Sequence, residues 1–212
     1  MNRKFVFIIG SGLILLAFVS AVFLYKNQQS GMAGHNQGVS IREGAAVKGP
    51  VDAKVTIVEF LDPACETCSD FYPLVKKFID QYPGKVRVMV RYAPLHNGSD
   101  QVVKMLEAAH RQGKFWQALE LLFATQNRWV VNHQSQPMRA RGILNSLDVD
   151  QDRLNIDMGS SGVLQVIQQD IQDGQTLNIR ATPEFFVNGR PMPSFGYKQL
   201  SQLVSEAVAE AY

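Results

Sequence analysis

Residues 55–82 read VTIVEFLDPACETCSDFYPLVKKFIDQY, and the rest of the chain is arranged around them. Val55 to Phe60 is an apolar, β-prone run, so Lys54 to Phe60 is predicted to be a buried central strand. A short turn leads to Cys65-Glu66-Thr67-Cys68. From there Cys68, Phe71, Tyr72, Val75, Phe78, Ile79 and Tyr82 recur at helical spacing, with Lys76 and Lys77 on the opposite face. Pro73 removes one internal hydrogen bond and should bend this helix, and Pro83-Gly84 stops it. Beyond it, Val86, Val88, Val90 and Tyr92 alternate with Arg87, Met89 and Arg91, the period of a second strand. Two strands joined through a helix make a parallel unit.

Cys65 and Cys68 are the only cysteines among the 212 residues. One helical turn places them on the same side. The first falls where the helix begins, and there unpaired N–H groups and the helix dipole favour an anion. A thiol in that place ionises readily, and the thiolate is the form that attacks disulfides. Cys65 is read as the exposed nucleophile and Cys68, one turn further in, as the resolving thiol. A structural disulfide would gain little from so short a loop. Zinc wants four ligands, and no second CxxC is present. His35, His96, His110 and His133 show no paired spacing, and the last three read as structural. Ser69 stands where haem attachment would need histidine. No metal or organic cofactor is expected; the Cys65–Cys68 disulfide itself carries the electrons. Cu(I) binding by the two soft thiolates and a chaperone role with idle cysteines stay open as alternatives.

Glu59 is conspicuous inside an apolar strand, because an ionised carboxylate is costly to bury without a partner. Either its pKa is raised and it moves protons for Cys68, or it pairs with a cation such as Lys85.

The stretch resembles the active site of the thioredoxin superfamily. Glu59 lies six residues before Cys65, where members carry a buried acid serving the second thiol. Pro73 matches the proline that kinks the active-site helix. Thr182-Pro183, followed by Glu184-Phe185-Phe186-Val187-Asn188-Gly189, is similar to the cis-proline loop and the strand after it. The long span between Cys68 and Pro183 resembles the DsbA family, which inserts a helical domain there. The resemblance runs from about residue 50 to the C-terminus. It implies an α/β thioredoxin fold with an all-α insertion, a Cys65/Cys68 redox pair, and Thr182 and Pro183 beside the disulfide. The partners it implies are substrate proteins with thiols or disulfides, and a membrane redox protein that recycles the cysteines. Strong oxidants of the family often carry Pro-His between the cysteines. Glu66 and Thr67 stand here, and a carboxylate at Glu66 is expected to raise the Cys65 pKa and make the disulfide less oxidising. The family link tilts the reading toward disulfide formation, with reductase or isomerase activity as the alternative.

Composition suits a folded chain, 46% hydrophobic and 19% charged. The formal charge of +2 owes everything to Arg3, Lys4 and Lys26; from residue 41 onward 18 basic residues meet 19 acidic ones, a net of −1. No basic patch or charge run appears, which argues against a nucleic-acid partner.

Residues 5–25, FVFIIGSGLILLAFVSAVFLY, are uncharged and mostly apolar, long enough to span a bilayer core of about 30 Å. Arg3 and Lys4 before them favour a cytoplasmic N-terminus, which leaves the rest of the chain extracytoplasmic, on the periplasmic side of a bacterial-type membrane, where disulfide chemistry has use. No good small-x-small cleavage site follows, so residues 1–25 are read as an uncleaved signal anchor, with a cleaved signal peptide and a secreted form as the alternative. Residues 26–50 are rich in Gln, Asn, Gly and Ser and read as a flexible linker. The folded domain is then 51–212.

Within it, about 97–178 forms the insertion of four or five helices. Ser99-Asp100 starts the first, and Phe115, Trp116, Leu119 and Leu122 stripe the second. Pro137, Asp150 and Ser160-Ser161 open the others. After it, Phe185 to Asn188 reads as a strand, Asn188-Gly189 as a hairpin turn and Arg190 to Pro193 as an edge strand. The last helix runs from about Tyr197 to Ala211.

Overall fold

A computed structural model of the protein describes residues 14–28, 38 and 40–212. The Val55–Leu61 run forms a strand with all seven residues buried. It lies at the centre of a five-stranded sheet: β1 (Ala46–Lys48), β3 (Val86–Tyr92), β2 (Val55–Leu61), β6 (Glu184–Val187) and β7 (Arg190–Pro191), in that spatial order. β2 runs parallel to β3, with Ile57 opposite Val88, and antiparallel to β6, with Glu59 opposite Phe185. Both faces of the sheet are covered, which is why β2 is a continuous apolar run and not an alternating one.

On one face α1 (Glu66–Gln81) and α8 (Tyr197–Ala211) bury Val55 and Ile57 together with Phe71, Val75, Phe185 and Val204. Phe71 stacks on Tyr197 at 4.1 Å between ring centroids and also meets Phe185 and Phe195. Pro73 lies inside α1 as expected. The other face holds Val58, Phe60, Met89 and Phe186 against Ala45 and Ile179. Asn188 and Gly189 take positive φ at the β6–β7 hairpin turn, the backbone that an Asn-Gly pair favours.

The insertion contains six helical segments, more than the stripes indicated: α2 (Ser99–His110), α3 (Phe115–Ala124), α4 (Gln126–Trp129), α5 (Pro137–Leu144), α6 (Gln151–Met158) and α7 (Ser161–Thr176). Asp150 caps α6 by accepting from Arg153 N–H at 2.9 Å, and Ser160 caps α7. Their core joins Val102, Leu106, Leu119, Trp129, Leu144 and Leu154. It is not all-α. Val130–Val131 and Gln134–Ser135 pair as a two-residue ribbon, β4 and β5, whose tip residues Asn132 and His133 have positive φ. Each strand of the ribbon is too short to show an alternating pattern.

The expected linker over 26–50 is also corrected at its far end. Ala46–Lys48 pairs antiparallel with β3, Ala46 opposite Val90. Ser40 and Ala45 are buried, and Arg42 donates to Asp170 of α7 at 2.7 Å. The folded part therefore begins near residue 40, where a cation and small apolar residues have partners to meet. Residues 1–13, 29–37 and 39, with them the first part of the expected 5–25 span and His35, lie outside the described residues. Residues 14–28 are helical, with Leu15, Phe18, Phe23 and Leu24 exposed. Among the described residues no helix is long and apolar enough to cross a membrane.

Candidate active site

β2 ends at Leu61, and the chain turns through Asp62-Pro63-Ala64 into α1. Cys65 is the N-cap of that helix: its backbone is extended, and its Sγ accepts from Cys68 N–H at 3.3 Å. The sulfur thus takes the place a serine or aspartate oxygen usually fills. Facing it is the Thr182–Pro183 peptide, which is cis, and the Cys65 thiol donates to the Thr182 carbonyl at 3.1 Å. Cys65, Thr182 and Pro183, 117 residues or more apart in sequence, therefore meet at one place. Both cysteines are free thiols.

Cys65 is not the exposed group that its position suggested. It is 5% exposed, because its side chain is folded back onto Cys68 N–H and the Thr182 carbonyl; Cys68 is 0% exposed. Cys65 forms part of a cleft of about 350 Å³ together with Thr67, Leu95, His96, Arg180 and Thr182.

The two thiols are driven in opposite directions. Hydrogen bonding with the Cys68 side chain is the largest influence on Cys65; with the Thr182 side chain, the Cys68 N–H and the charge of His96 it outweighs burial and lowers the thiol from 9.0 to about 6. Burial pushes Cys68 well above 9.0, helped by its hydrogen bond with Cys65 and by the charge of Glu59. Cys65 is thus the sulfur that ionises first, and Cys68 holds its proton.

Glu59 is 1% exposed on β2, and among the described residues its Oε1 has no hydrogen-bond partner. Burial, and after it the charge of Cys65, raises its carboxyl from 4.5 to about 8. Lys85 lies over the Tyr212 ring instead of pairing with Glu59. A carboxyl in this state carries a proton near neutrality within electrostatic reach of both sulfurs.

Glu66 lines the same cleft, its carboxylate is engaged by His133 Nδ1, 3.0 Å distant on the ribbon tip, and it is not among the leading influences on the Cys65 thiol. Of the other histidines, His110 packs edge-on against Phe115, whereas His96 is part of the site.

Two residues missed in the sequence hold the site together. Asp62 is fully buried. Its Oδ1 accepts from Ala64 N–H at 2.8 Å and Ser99 Oγ at 2.6 Å, and its Oδ2 accepts from His96 N–H at 2.7 Å and His96 Nδ1 at 2.8 Å. Gly98, in the left-handed region, permits the approach: a Cβ there would meet Ser135 O at 3.1 Å. Gln126 Nε2 donates to Pro63 O at 3.0 Å and Cys65 O at 3.1 Å, pinning the CxxC backbone to the insertion. An acid in an otherwise apolar turn was the one available signal for Asp62; Gln126 carried none.

Comparison with known proteins defines the class. Residues 42–206 match the family model described as Thioredoxin. The structure of a thioredoxin-like oxidoreductase from Silicibacter pomeroyi superposes with a TM-score of 0.69 at 28% identity, covering 81% of this chain and 95% of that one. Oxidised BdbD from Bacillus subtilis superposes with a TM-score of 0.65 at 25% identity, covering 79% and 94%. The chain belongs to the thioredoxin family, among its thiol–disulfide oxidoreductases. Among curated proteins, the Na(+)/H(+) antiporter NhaA 3 of Salinispora tropica is 32% identical over 169 residues, 78% of this chain and 25% of that protein. The chain thus spans about a quarter of the length of the curated relatives it matches.

Proposed function

We propose that the protein is a membrane-tethered, extracytoplasmic thiol–disulfide oxidoreductase that exchanges disulfides with substrate proteins through Cys65 and Cys68, in the direction of disulfide formation. The observation that carries this reading is the split between the two thiols, Cys65 lowered to about 6 and Cys68 raised well above its ordinary value. In the oxidised protein a substrate thiolate attacks Cys65 sulfur, the Cys65–Cys68 bond breaks, and Cys68 leaves as a thiolate that takes up a proton. Glu59, carrying a proton near neutrality, is placed to supply it. A second substrate thiolate then attacks the substrate sulfur of the mixed disulfide, and Cys65 departs as the stabilised thiolate. The substrate has lost two electrons and the protein has gained them. A membrane redox partner returns the dithiol to the disulfide.

A Cys65 thiol near 6 falls between those of thioredoxin, about 7, and DsbA, about 3.5. The potential should then fall between theirs, about −270 and about −120 mV. The membrane tether is supported by the uncharged 5–25 segment and by the exposed Leu15, Phe18, Phe23 and Leu24. The transport named in the antiporter relatives is not carried over to a chain that spans a quarter of them. Insulin reduction by the protein in detergent tests the reading: wild type should catalyse it with dithiothreitol, and Cys65→Ser should fall to background. Equal rates for both would leave the cysteines idle.

A further inference from the structure

The two residues between the cysteines, Glu66 and Thr67, bring no positive charge to the Cys65 sulfur. Another element brings a basic group to the same cleft. His96, in the loop between β3 and α2, contributes to the cleft beside Cys65 and Thr182. Its ring is held from behind. Asp62 is fully buried and accepts from both the backbone N–H and Nδ1 of His96, at 2.7 and 2.8 Å. A carboxylate that takes the Nδ1 proton fixes the tautomer and orientation of an imidazole and leaves Nε2 as its working nitrogen. Asp62 is itself immobilised by Ala64 N–H and Ser99 Oγ, so neither member of the pair can swing away.

We infer that Asp62 and His96 form a fixed dyad that holds an imidazole in the cleft lined by Cys65, where in its protonated form it stabilises the Cys65 thiolate and offers a proton to a substrate thiolate released there. When Cys65 thiolate attacks a substrate disulfide, the Cys65–substrate S–S bond forms and the substrate S–S bond breaks. The departing thiolate takes the Nε2 proton of His96 and leaves as a thiol, and His96 regains a proton from solvent. In the reverse direction His96 accepts the proton of the incoming thiol. His96 is thereby assigned the part that a basic residue inside a CxxC could play, supplied here from a loop 31 residues beyond Cys65 in sequence. Among the described residues, the other charged or titratable groups about the dyad include Glu66 and Arg180, which share the cleft, Cys65 itself, and Cys68, which is hydrogen-bonded to the Asp62 backbone. Glu66 is engaged by His133. The lowering influence of His96 on the Cys65 thiol agrees with this assignment.

The inference rests on the proposed exchange activity, so its test reads both. The thiolate absorbance of the reduced protein in detergent is followed against pH for wild type, His96→Gln, His96→Lys and Asp62→Asn, beside insulin reduction by each. His96→Gln should move the midpoint up by about one pH unit, the scale of a lost opposite charge at close range, and slow exchange near neutral pH by about tenfold. His96→Lys should restore most of the midpoint. Asp62→Asn should shift it in the same direction as His96→Gln, and circular dichroism identifies any variant that has unfolded. A midpoint unchanged in folded His96→Gln, with wild type active, would overturn the dyad and leave the exchange reading standing. Wild type without exchange activity would overturn both.

Discussion

At the scale of single residues, the site works by making neighbouring groups unequal. Cys65 is pulled down by hydrogen bonds and Cys68 pushed up by burial, and Glu59 is kept protonated by the same burial. Glu59 makes a prediction about stability. A carboxyl raised in the fold from 4.5 to about 8 costs nothing while it is protonated in both states, below about pH 4. As pH rises through the window from about 4.5 to 8, the unfolded chain gives up its proton first and the fold is progressively destabilised. In the oxidised protein, where the cysteines do not titrate and burial alone raises the Glu59 carboxyl, Glu59→Gln should melt at the wild-type temperature near pH 4. It should be more stable by pH 9, by about 2 kcal/mol once water penetration is allowed for. A melting difference that does not change with pH would contradict it. Cys65, Cys68 and Glu59 were legible in the sequence because spacing along one strand and one helix placed them. Thr182 and Pro183 were legible only through family resemblance. Asp62, His96 and Gln126 were not legible, because their partners lie across the fold, 34 residues away for Asp62 and His96 and 61 for Gln126 and Cys65.

At the scale of elements, the insertion is attached to the sheet by charge as well as by packing. Arg91 of β3 is fully buried and pairs with Asp170 and Asp173 of α7, while its Nη1 donates to Ser40 O at 2.6 Å. Asp170 also accepts from Arg42 and from Tyr92 N–H. Sheet, helix and the residues before β1 therefore share one buried carboxylate. Removing one partner of a buried pair leaves the other charge uncompensated, at a cost of about 3–5 kcal/mol. Arg91→Met should lose about that much in urea denaturation, whereas Lys104→Met, at a half-exposed i,i+4 pair, should lose less than about 1 kcal/mol. Similar losses for the two would show that Asp170 is satisfied without Arg91. This junction explains the misread linker: three residues of strand, Ala46–Lys48, are too few for a periodic signal, and Arg42 is ordered by a helix more than a hundred residues later. The β4–β5 ribbon escaped notice for the same reason.

At the scale of the molecule, the end of one element of the thioredoxin fold carries Cys65 and another carries the Thr182 carbonyl that faces it, and the helical insertion closes over the junction through Gln126 and the Asp62–Ser99 contact. The long elements were legible because their periodicities are local: β2, β3, α1 and α8 lie within a residue or two of where the pattern put them. The number of helices in the insertion was not, since short α4 is set by burial of Trp129 and not by its own sequence. For the whole protein, Cys68→Ala should accumulate mixed disulfides through Cys65 with substrate proteins. These adducts should be absent from the Cys65→Ser, Cys68→Ala double variant, and adducts of equal abundance in both would mean that Cys65 captures nothing. The most direct measurement is redox equilibration of the protein with glutathione, with the Cys65–Cys68 state read by mass. The account predicts one two-electron couple joining these two sulfurs, at a potential between about −270 and about −120 mV. Failure of the two to form a disulfide, or a potential below that of thioredoxin, would contradict it.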